Sequence, residues 1–212
     1  AMAALQRREL GDVAGAIETF QLALADDPKD QTAHQALVDA YTEQQSWDAL
    51  YAELERVLAH QSGERRTATL RRMAEAKRAQ GDPGQALAHY RELLAEGRQS
   101  EEVLAAVEEL ASDRGDAETL RVVLEQRIAS TTEPDEQAEL LERLGRVQAL
   151  ELGDAEAAAR SWREGARLSE SAAANDERAL RLYERVLHVS PSDTEAAQRL
   201  IALYARAEEW KK

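Results

Sequence analysis

The sequence predicts an all-α fold built from stacked antiparallel helix pairs, and three observations support this prediction. Ala, Leu, Glu, Arg and Gln dominate the 212 residues, and these residues lose little side-chain freedom in a helix. Residues that disfavour helices are few, with ten Gly and four Pro in the chain. A Gly-Asp pair followed by apolar residues at helical spacing returns several times, which indicates helices of similar length separated by turns.

The Gly-Asp pairs mark the turns between the predicted helices. They begin at Gly11, Gly81, Gly115 and Gly153, and Gln45-Ser46 occupies the equivalent place in a fifth copy. Gly can take the left-handed backbone conformation that closes one helix, and the Asp side chain can cap the amide groups of the next. Successive copies are separated by 34 to 38 residues.

Each copy carries a stripe of small, large and small side chains on one helix face. In the first copy Ala16, Phe20 and Ala23 fall at positions i, i+4 and i+7, and the helix ends before Pro28. The stripes of the later copies are Leu50, Leu54, Val57; Ala86, Tyr90, Leu93; Leu120, Leu124, Arg127; Ala158, Trp162, Gly165; and Ala179, Tyr183, Val186. The partner helices carry Leu37, Val38, Tyr41; Leu70, Met73, Ala74; Leu104, Val107, Ala111; Leu141, Leu144, Gly145; and Leu200, Ile201, Tyr204. Helices can approach closely at the small positions and interlock at the large ones.

This period, with its small, large and small stripe followed by proline, resembles the tetratricopeptide repeat. The resemblance covers almost the whole chain, although Leu50 stands where the family prefers alanine, Arg127 occupies a usually small position, and only Pro28 and Pro191 keep the terminal proline. The resemblance implies a right-handed α-solenoid of stacked helix pairs. It also implies a concave groove that holds a peptide or another protein, and it implies no chemistry.

The pattern is expected to break after the copy that contains Trp162. The next stripe follows the segment SESAAAND directly, so we expect helical hairpins over 1–170, an irregular junction lacking one repeat helix over 171–176, and a further hairpin over 177–212. One alternative is a single continuous helix over 155–189, with Ser169 and Asp176 on its apolar face. The other is a break near Ser171 or Asn175, with Asp176 as the N-cap of the next helix. A loop or helix removed at this point is a third possibility.

The continuous helix would have a consequence for assembly. Residues 177–212 would then pack on another copy of the chain, giving a homodimer through 155–212. The two ends of the sequence are also irregular, because AMAALQRREL resembles the end of a partner helix and AEEWKK resembles the start of a further unit. We therefore expect the chain to be part of a longer repeat protein.

The candidate groove residues lie on the helices that carry Leu37, Leu70, Leu104 and Leu141, which the resemblance places on the concave face. By helical phase they are Gln35 and Asp39; Arg71, Glu75 and Arg78; Ala105 and Glu109; and Glu142, Arg143 and Arg146. Such a mixed-sign groove suits a peptide that carries both charges, and its arginines could bind a carboxylate. Each residue can also be an ordinary solvated side chain with a partner one turn away, as Arg71 and Glu75 would be.

Two further features of the groove helices bear on what the groove can bind. The basic segment 64–78 contains Arg65, Arg66, Arg71, Arg72, Lys77 and Arg78, and it fits a solvated helix face better than a docking site for an acidic partner. The Lys/Asn/Arg clamp with which chaperone-binding members of the family hold a carboxylate is absent. Asp39, Glu75 and Glu109 stand at the equivalent places.

Composition and motifs disfavour several function classes. The chain has no cysteine, so disulfides and thiolate chemistry are excluded. A net charge of -14 opposes nucleic-acid binding, and no apolar run predicts membrane insertion. The four histidines stand singly without metal-ligand spacing, and no Gly-rich phosphate loop is present, so we expect no metal, no cofactor and no catalytic residue. Trp47, Trp162 and Trp210 are expected in the core.

The sequence therefore predicts a non-catalytic protein–protein interaction scaffold that binds a peptide or a partner protein in its concave groove. The alternative is a structural spacer or homo-oligomerising arm of a larger repeat protein, in which the ends and the 171–176 junction form the contact. The Ala- and Arg-rich composition suggests a bacterial source. The compartment is left open, with the cytoplasm as the working expectation.

Overall fold

The structure, a computed structural model, describes residues 13–171 and 175–209, with side chains up to residue 206. All regular secondary structure in these ranges is α-helical. The helices are α1 Val13–Asp26, α2 Gln31–Glu43, α3 Trp47–Leu58, α4 Gly63–Ala79, α5 Pro83–Ala95, α6 Glu101–Arg114, α7 Ala117–Ser130, α8 Pro134–Leu150, α9 Ala155–Ser171, α10 Asp176–Val189 and α11 Thr194–Glu209. The predicted all-α fold class is confirmed.

The chain divides into two compact units between Arg98 and Gln99. Unit 1 contains α1 to α5 and unit 2 contains α6 to α11. Within each unit every helix packs against the next one along the chain, and the short turns between them make neighbouring helices antiparallel. The predictions for residues 1–12 and for Trp210 concern positions outside the described residues.

The Gly-Asp turns have the geometry that the sequence predicts. Gly81, Gly115 and Gly153 have φ values of 76°, 64° and 69°, in the left-handed region where a side chain would be strained. The Asp of each pair accepts a hydrogen bond from the backbone amide three residues later: Gln85 N to Asp82, Thr119 N to Asp116 and Ala157 N to Asp154. Each of these three Gly-Asp pairs therefore ends one helix and caps the next.

Gln45 takes the place of glycine in the α2–α3 turn, where its φ is 54°. A residue with a side chain is strained by about 1–2 kcal/mol in this conformation, whereas glycine is not. Glycine also raises the conformational entropy of the unfolded chain, which offsets part of the relieved strain, so Gln45→Gly should stabilise unit 1 by about 0.5–1 kcal/mol. Thermal unfolding followed by circular dichroism measures this gain. Gln44→Gly is the matched control and should destabilise, since Gln44 has a right-handed helical conformation with φ -77°. A variant no more stable than wild type would contradict the expectation.

The predicted stripes form the core of unit 1. The stripes lie on both helices of each hairpin, and their large side chains pack between the helices as expected. Buried members are Ala16, Leu37, Val38, Tyr41, Leu50, Leu54, Leu70, Met73, Ala74, Ala86, Tyr90 and Leu93. Phe20 of α1 and Trp47 of α3 are half-buried and pack against this core.

In unit 2 two glycines allow α8, α9 and α10 to approach closely. A Cβ atom added to Gly145 would lie 2.3 Å from Nε1 of Trp162, so the indole ring occupies the space that a side chain would need. The indole Nε1 donates a hydrogen bond of 3.1 Å to the carbonyl oxygen of Glu142. A Cβ atom on Gly165 would lie 3.3 Å from Leu141 Cβ and from Leu182 Cδ1. Trp162 is buried, as predicted.

The connection between α9 and α10 lies where the sequence predicts an irregular junction. α9 ends at Ser171, and Asn175 caps α10 by accepting a hydrogen bond of 3.1 Å from Arg178 N, so α9 and α10 are separate helices. The prediction of Asp176 as the N-cap is wrong by one residue, because the Asn175 side chain reaches that amide. Ser169 is fully buried, and its hydroxyl donates to the carbonyl of Gly165 at 2.9 Å.

α10 and α11 occupy the places of the two helices of a further hairpin. α10 lies against α9 and also contacts α8, where Arg178 Nη1 is 2.6 Å from Asp135. α11 packs on α10 and pairs with α9 through Arg206 and Glu170 at 2.9 Å. We call α2, α4, α6 and α8, which carry the predicted groove residues, the first helices of the hairpins, and α3, α5, α7 and α9, which carry the small, large and small stripes, the second helices. α10 follows α9 and contacts α8, so it has a first-helix position, although its sequence stripe is of the second-helix type.

The predicted apolar stripe on α11 is wrong in two of its three members. Ile201 and Tyr204 are 69 % and 47 % exposed, whereas Ala196 and Leu203 are buried. The reason is that α11 turns the face with Ala196 toward α10, where Ala196 and Leu203 join the core that contains Tyr183. Ile201 and Tyr204 consequently point to solvent, whereas Leu200 is half-buried against this core.

Candidate functional site on the first helices of the hairpins

The predicted groove residues of unit 1 lie on the exposed sides of α2 and α4. Gln35, Arg71, Glu75 and Arg78 are exposed, and Asp39 is half-buried. The side-chain amide of Gln35 donates to Asp39 at 2.8 Å. Arg72, on the next first helix, lies 3.8 Å from the same carboxylate. Asp39 is therefore held between its own helix and α4.

The remaining cations of the basic segment 64–78 contact side chains within unit 1. The pairs that span two helices are Arg65 with Gln31, Arg66 with Glu92 and Glu96, Lys77 over the ring of Tyr51, and Arg78 with Tyr90. Burial raises the pKa of the Tyr90 hydroxyl, Glu75 adds to the rise, and Arg78 opposes it. The internal contacts of Arg65, Arg66 and Lys77 favour the interpretation of these three cations as parts of a helix face rather than of a docking site for an acidic partner.

In unit 2 the predicted residues Glu142 and Arg143 are half-buried and tied to neighbouring helices. Glu142 accepts a hydrogen bond of 2.8 Å from Arg185 on α10, and Arg143 donates to Glu108 on α6. Glu109 and Ala105 are exposed on α6, and Arg146 is exposed on α8. Within the described parts of the chain Arg146 has no ion pair, in contrast to Arg143 one turn before it.

Glu108 is the centre of an ion-pair network that joins three helices. Its side chain is 11 % exposed and lies between Arg127 of α7, at 2.6 Å, and Arg143 of α8. Arg127 also reaches Glu101 at 2.9 Å. Burial lowers the pKa of Arg127, but its hydrogen bond to Glu108 and the nearby carboxylates raise it more, so the net shift is upward. The arginine at a usually small stripe position therefore has a carboxylate partner.

One arrangement recurs in both units, in which an arginine pairs with an acid on the preceding first helix. The pairs are Arg72–Asp39, Arg143–Glu108, Arg178–Asp135 and Arg185–Glu142. The site residues predicted from the sequence do not include Glu108, Arg178 or Arg185. The available signal was an acid followed by an arginine about one repeat later, 35 residues for Glu108–Arg143 and 43 for Asp135–Arg178.

The exposed face of α8 continues beyond these pairs. Glu139, Arg143, Arg146 and Leu150 follow at spacings that place them on one side of the helix. Leu150 is 77 % exposed, one turn after Arg146. This face combines a cation and an apolar side chain on a helix that is fixed at both sides by ion pairs.

Other features of the described residues bear on chemistry. Unit 1 has an open depression of about 700 Å³ between the α2–α3 turn and the end of α4, where Gln80 donates to Asp48 at 2.6 Å.

His34 pairs with Glu53, which lies 19 residues later in the sequence, and the sequence pattern did not predict this pair. Within residues 13–171 and 175–209 no group of three His, Asp or Glu residues is placed to hold a metal ion, and no helix is long and apolar enough to cross a membrane.

Comparison with known proteins gives similarity at the level of structure. No family model matches the sequence, and no curated protein does either. The structure of Naa15/Naa10 bound to HypK-THB is similar with a TM-score of 0.55 and 17 % identity, covering 96 % of this chain and 33 % of that chain. A tetratricopeptide repeat protein from Parabacteroides merdae has a TM-score of 0.45 and 16 % identity, covering 95 % of this chain and 80 % of that chain. The helix pairs, the buried stripes and the Gly-Asp turns, together with the similarity to the Naa15/Naa10 structure, show that the chain has a tetratricopeptide-like fold.

Proposed function

We propose that this chain is a non-catalytic protein–protein interaction scaffold that binds a peptide or a partner protein along the exposed faces of its first helices. Proteins with this fold are generally interaction scaffolds. The observation that carries the proposal is the face of α8, where Arg146 and Leu150 are exposed one turn apart. Ion pairs of Glu142 and Arg143 hold this helix against α10 and α6. A surface fixed in advance loses little conformational entropy when a partner binds.

The proposed binding residues form one set in each unit. They are Gln35, Asp39, Arg71, Glu75 and Arg78 in unit 1, and Glu109, Glu142, Arg143 and Arg146 in unit 2. Both signs of charge are present in each set, so a partner segment with alternating acidic and basic side chains is the best match. On α8 the match is a carboxylate for Arg146 and an apolar side chain for Leu150. Nucleic acid and cofactors are not part of the proposal.

The test is a selection of peptides from a random displayed library against the whole chain, followed by affinity measurement with Arg146→Glu/Leu150→Asp. We expect selected peptides to be rich in acidic and apolar residues, and their affinity to fall about tenfold or more in this variant, because a charge-assisted hydrogen bond and an apolar contact are both lost. Arg71→Glu/Arg78→Glu tests unit 1 in the same way.

The matched control for unit 2 changes an exposed arginine and an exposed aliphatic residue on second helices. Arg160 of α9 and Val122 of α7 are both exposed, and Arg160→Glu/Val122→Asp should leave peptide affinity unchanged. Circular dichroism verifies that every variant is folded. Equal losses of affinity in the two variants, or selected peptides insensitive to both, would reject the α8 face as the binding surface.

A homo-oligomerising arm is the second candidate function, and the exposed apolar residues of α11 favour it. Ile201 and Tyr204 are exposed on α11, toward the end of the chain, where this alternative places the contact between copies. Light scattering distinguishes the two functions. A dimeric mass that Ile201→Asp converts to a monomer, and that Arg146→Glu leaves intact, would favour the arm.

A further inference from the structure

Unit 1 contains a fully buried carboxylate that the groove does not use. Glu53 of α3 is 1 % exposed and lies beside Leu50 and Leu54 of the core. A carboxylate in such a place is costly unless charged hydrogen-bond donors surround it. Two donors are present: His34 Nδ1 contacts Oε1, and Arg56 Nη1 lies 2.9 Å from Oε2. Arg56 is 68 % exposed, so His34, at 14 %, is the more buried partner.

The contact of the second ring nitrogen of His34 determines the protonation state of the ring. Nε2 lies 3.0 Å from the carbonyl oxygen of Pro28, in the connection between α1 and α2. A carbonyl and a carboxylate can only accept hydrogen bonds, whereas a neutral imidazole has one N–H group to donate. Both contacts are satisfied together only when the ring is an imidazolium. One proton on His34 therefore joins α2, α3 and the α1–α2 connection.

We propose that His34 and Glu53 form a pH-sensitive tether that holds the α1–α2 connection, and with it α1, against the rest of unit 1. Within the described residues α2 is the main packing partner of α1, and Ala16 is the one buried residue of α1, so α1 depends on this tether more than the other helices do. When the proton leaves, one of the two contacts is lost and Glu53 loses its buried counter-charge. The connection then opens more readily, which exposes the apolar side of α1 at Ile17, Phe20 and Leu24.

The charges around the ring determine the direction of the pH dependence. Burial lowers the pKa of His34, but the hydrogen bonds to Glu53 and Pro28 outweigh burial, so the net pKa is raised above 6.5, with Glu53 favouring and Arg56 opposing protonation. Asp30 is engaged as the N-cap of α2, and Arg65 of α4 contacts Gln31. Because the folded-state pKa is raised, the tether contributes fully below about pH 6.5 and is lost as pH rises through the raised value.

The experiment titrates the histidine rings of the whole chain by NMR and measures hydrogen exchange of α1 amides, corrected for intrinsic rates, between about pH 5 and 9. We expect the pKa of His34 to lie above 6.5 in the folded chain. The opening of α1 should then increase as pH rises from 6.5 to that pKa, about tenfold for each pKa unit by which His34 is raised. His34→Gln keeps a donor toward Glu53 but cannot titrate, so it should abolish this pH dependence. His60→Gln, at an exposed histidine of the same unit, should retain it.

Two results would overturn the tether. One is a His34 resonance that titrates at or below 6.5 in the folded chain. The other is α1 exchange with the same pH dependence in His34→Gln as in the wild type. Glu53→Gln provides an independent check, since it removes the buried charge and should return the pKa of His34 to 6.5 or lower.

Discussion

Gly145→Ala should lower the free energy of unfolding of unit 2 by about 3 kcal/mol, because the added methyl group would overlap the indole ring of Trp162. Its Cβ atom would lie 2.3 Å from Nε1, 2.5 Å from Cδ1 and 2.7 Å from Cε2 of that ring. The ring is buried and its Nε1 is bonded to the Glu142 carbonyl, so it can move only by losing both core contacts and this hydrogen bond. Urea unfolding followed by circular dichroism measures the loss.

Gly165→Ala is the matched control for this prediction. Gly165 lies on the facing helix α9, and its nearest neighbours would be 3.3 Å from an added Cβ atom, so small shifts can accommodate a methyl group. We expect a cost of about 1 kcal/mol. In a Trp162→Leu background the ring is absent, and Gly145→Ala should cost at least about 1 kcal/mol less than in the wild type. If Gly145→Ala alone has a free energy of unfolding within about 0.5 kcal/mol of the wild-type value, Trp162 does not fix the distance between α8 and α9.

The repeat architecture was predictable from the sequence because it depends on local rules. Glycine in a left-handed turn and aspartate as a helix cap act within a few residues, so Gly81-Asp82 could be interpreted without knowledge of the fold. The stripes were equally readable, since a helix buries residues at fixed spacing. Gln45 shows the strength of the pattern, because it has the backbone conformation of the glycine that it replaces.

The errors on α11 and at the start of α10 have a different origin. Ile201 and Ala196 both stand on apolar stripes of α11, and only its contact with α10 decides which stripe is buried. Asn175 and Asp176 are both good caps, and the sequence alone does not decide which of them accepts the hydrogen bond from Arg178 N. Helical phase places residues on a face but does not show which partner helix covers that face.

The sequence predicted which helices carry the candidate site residues, but it did not predict which residues on other helices they contact. Helical phase correctly placed Arg146 and Glu109 on exposed faces. It gave no indication that Arg143 would turn to Glu108, because that pair joins residues on two helices separated by α7. Pairing between helices is set by the stacking distance and by the register of the hairpins, which a single sequence does not encode locally. The buried pair of His34 and Glu53 was missed for the same reason.

Glu108→Gln and Glu109→Gln separate structural from binding carboxylates on α6, because the two side chains are adjacent in sequence and opposite in environment. Glu108 is buried between Arg127 and Arg143, whereas Glu109 is exposed in the proposed binding set. Glu108→Gln removes the negative charge that two guanidinium groups share and leaves one amide oxygen to accept their hydrogen bonds. Breaking a fully buried pair costs about 3–5 kcal/mol, and the 39 % exposure of Arg143 reduces our expectation to about 2 kcal/mol.

Glu109→Gln should change the free energy of unfolding by less than about 0.5 kcal/mol, since it alters an exposed side chain. Its effect should instead appear in the affinity for selected peptides. Salt provides a second discriminator: the destabilisation by Glu108→Gln should persist at about 0.5 M NaCl, because the partly buried network is poorly screened, while a surface effect would fade. Equal losses of stability in the two variants, or a Glu108→Gln effect that salt removes, would show that the α6–α7–α8 network is a surface feature that does not hold the three helices together.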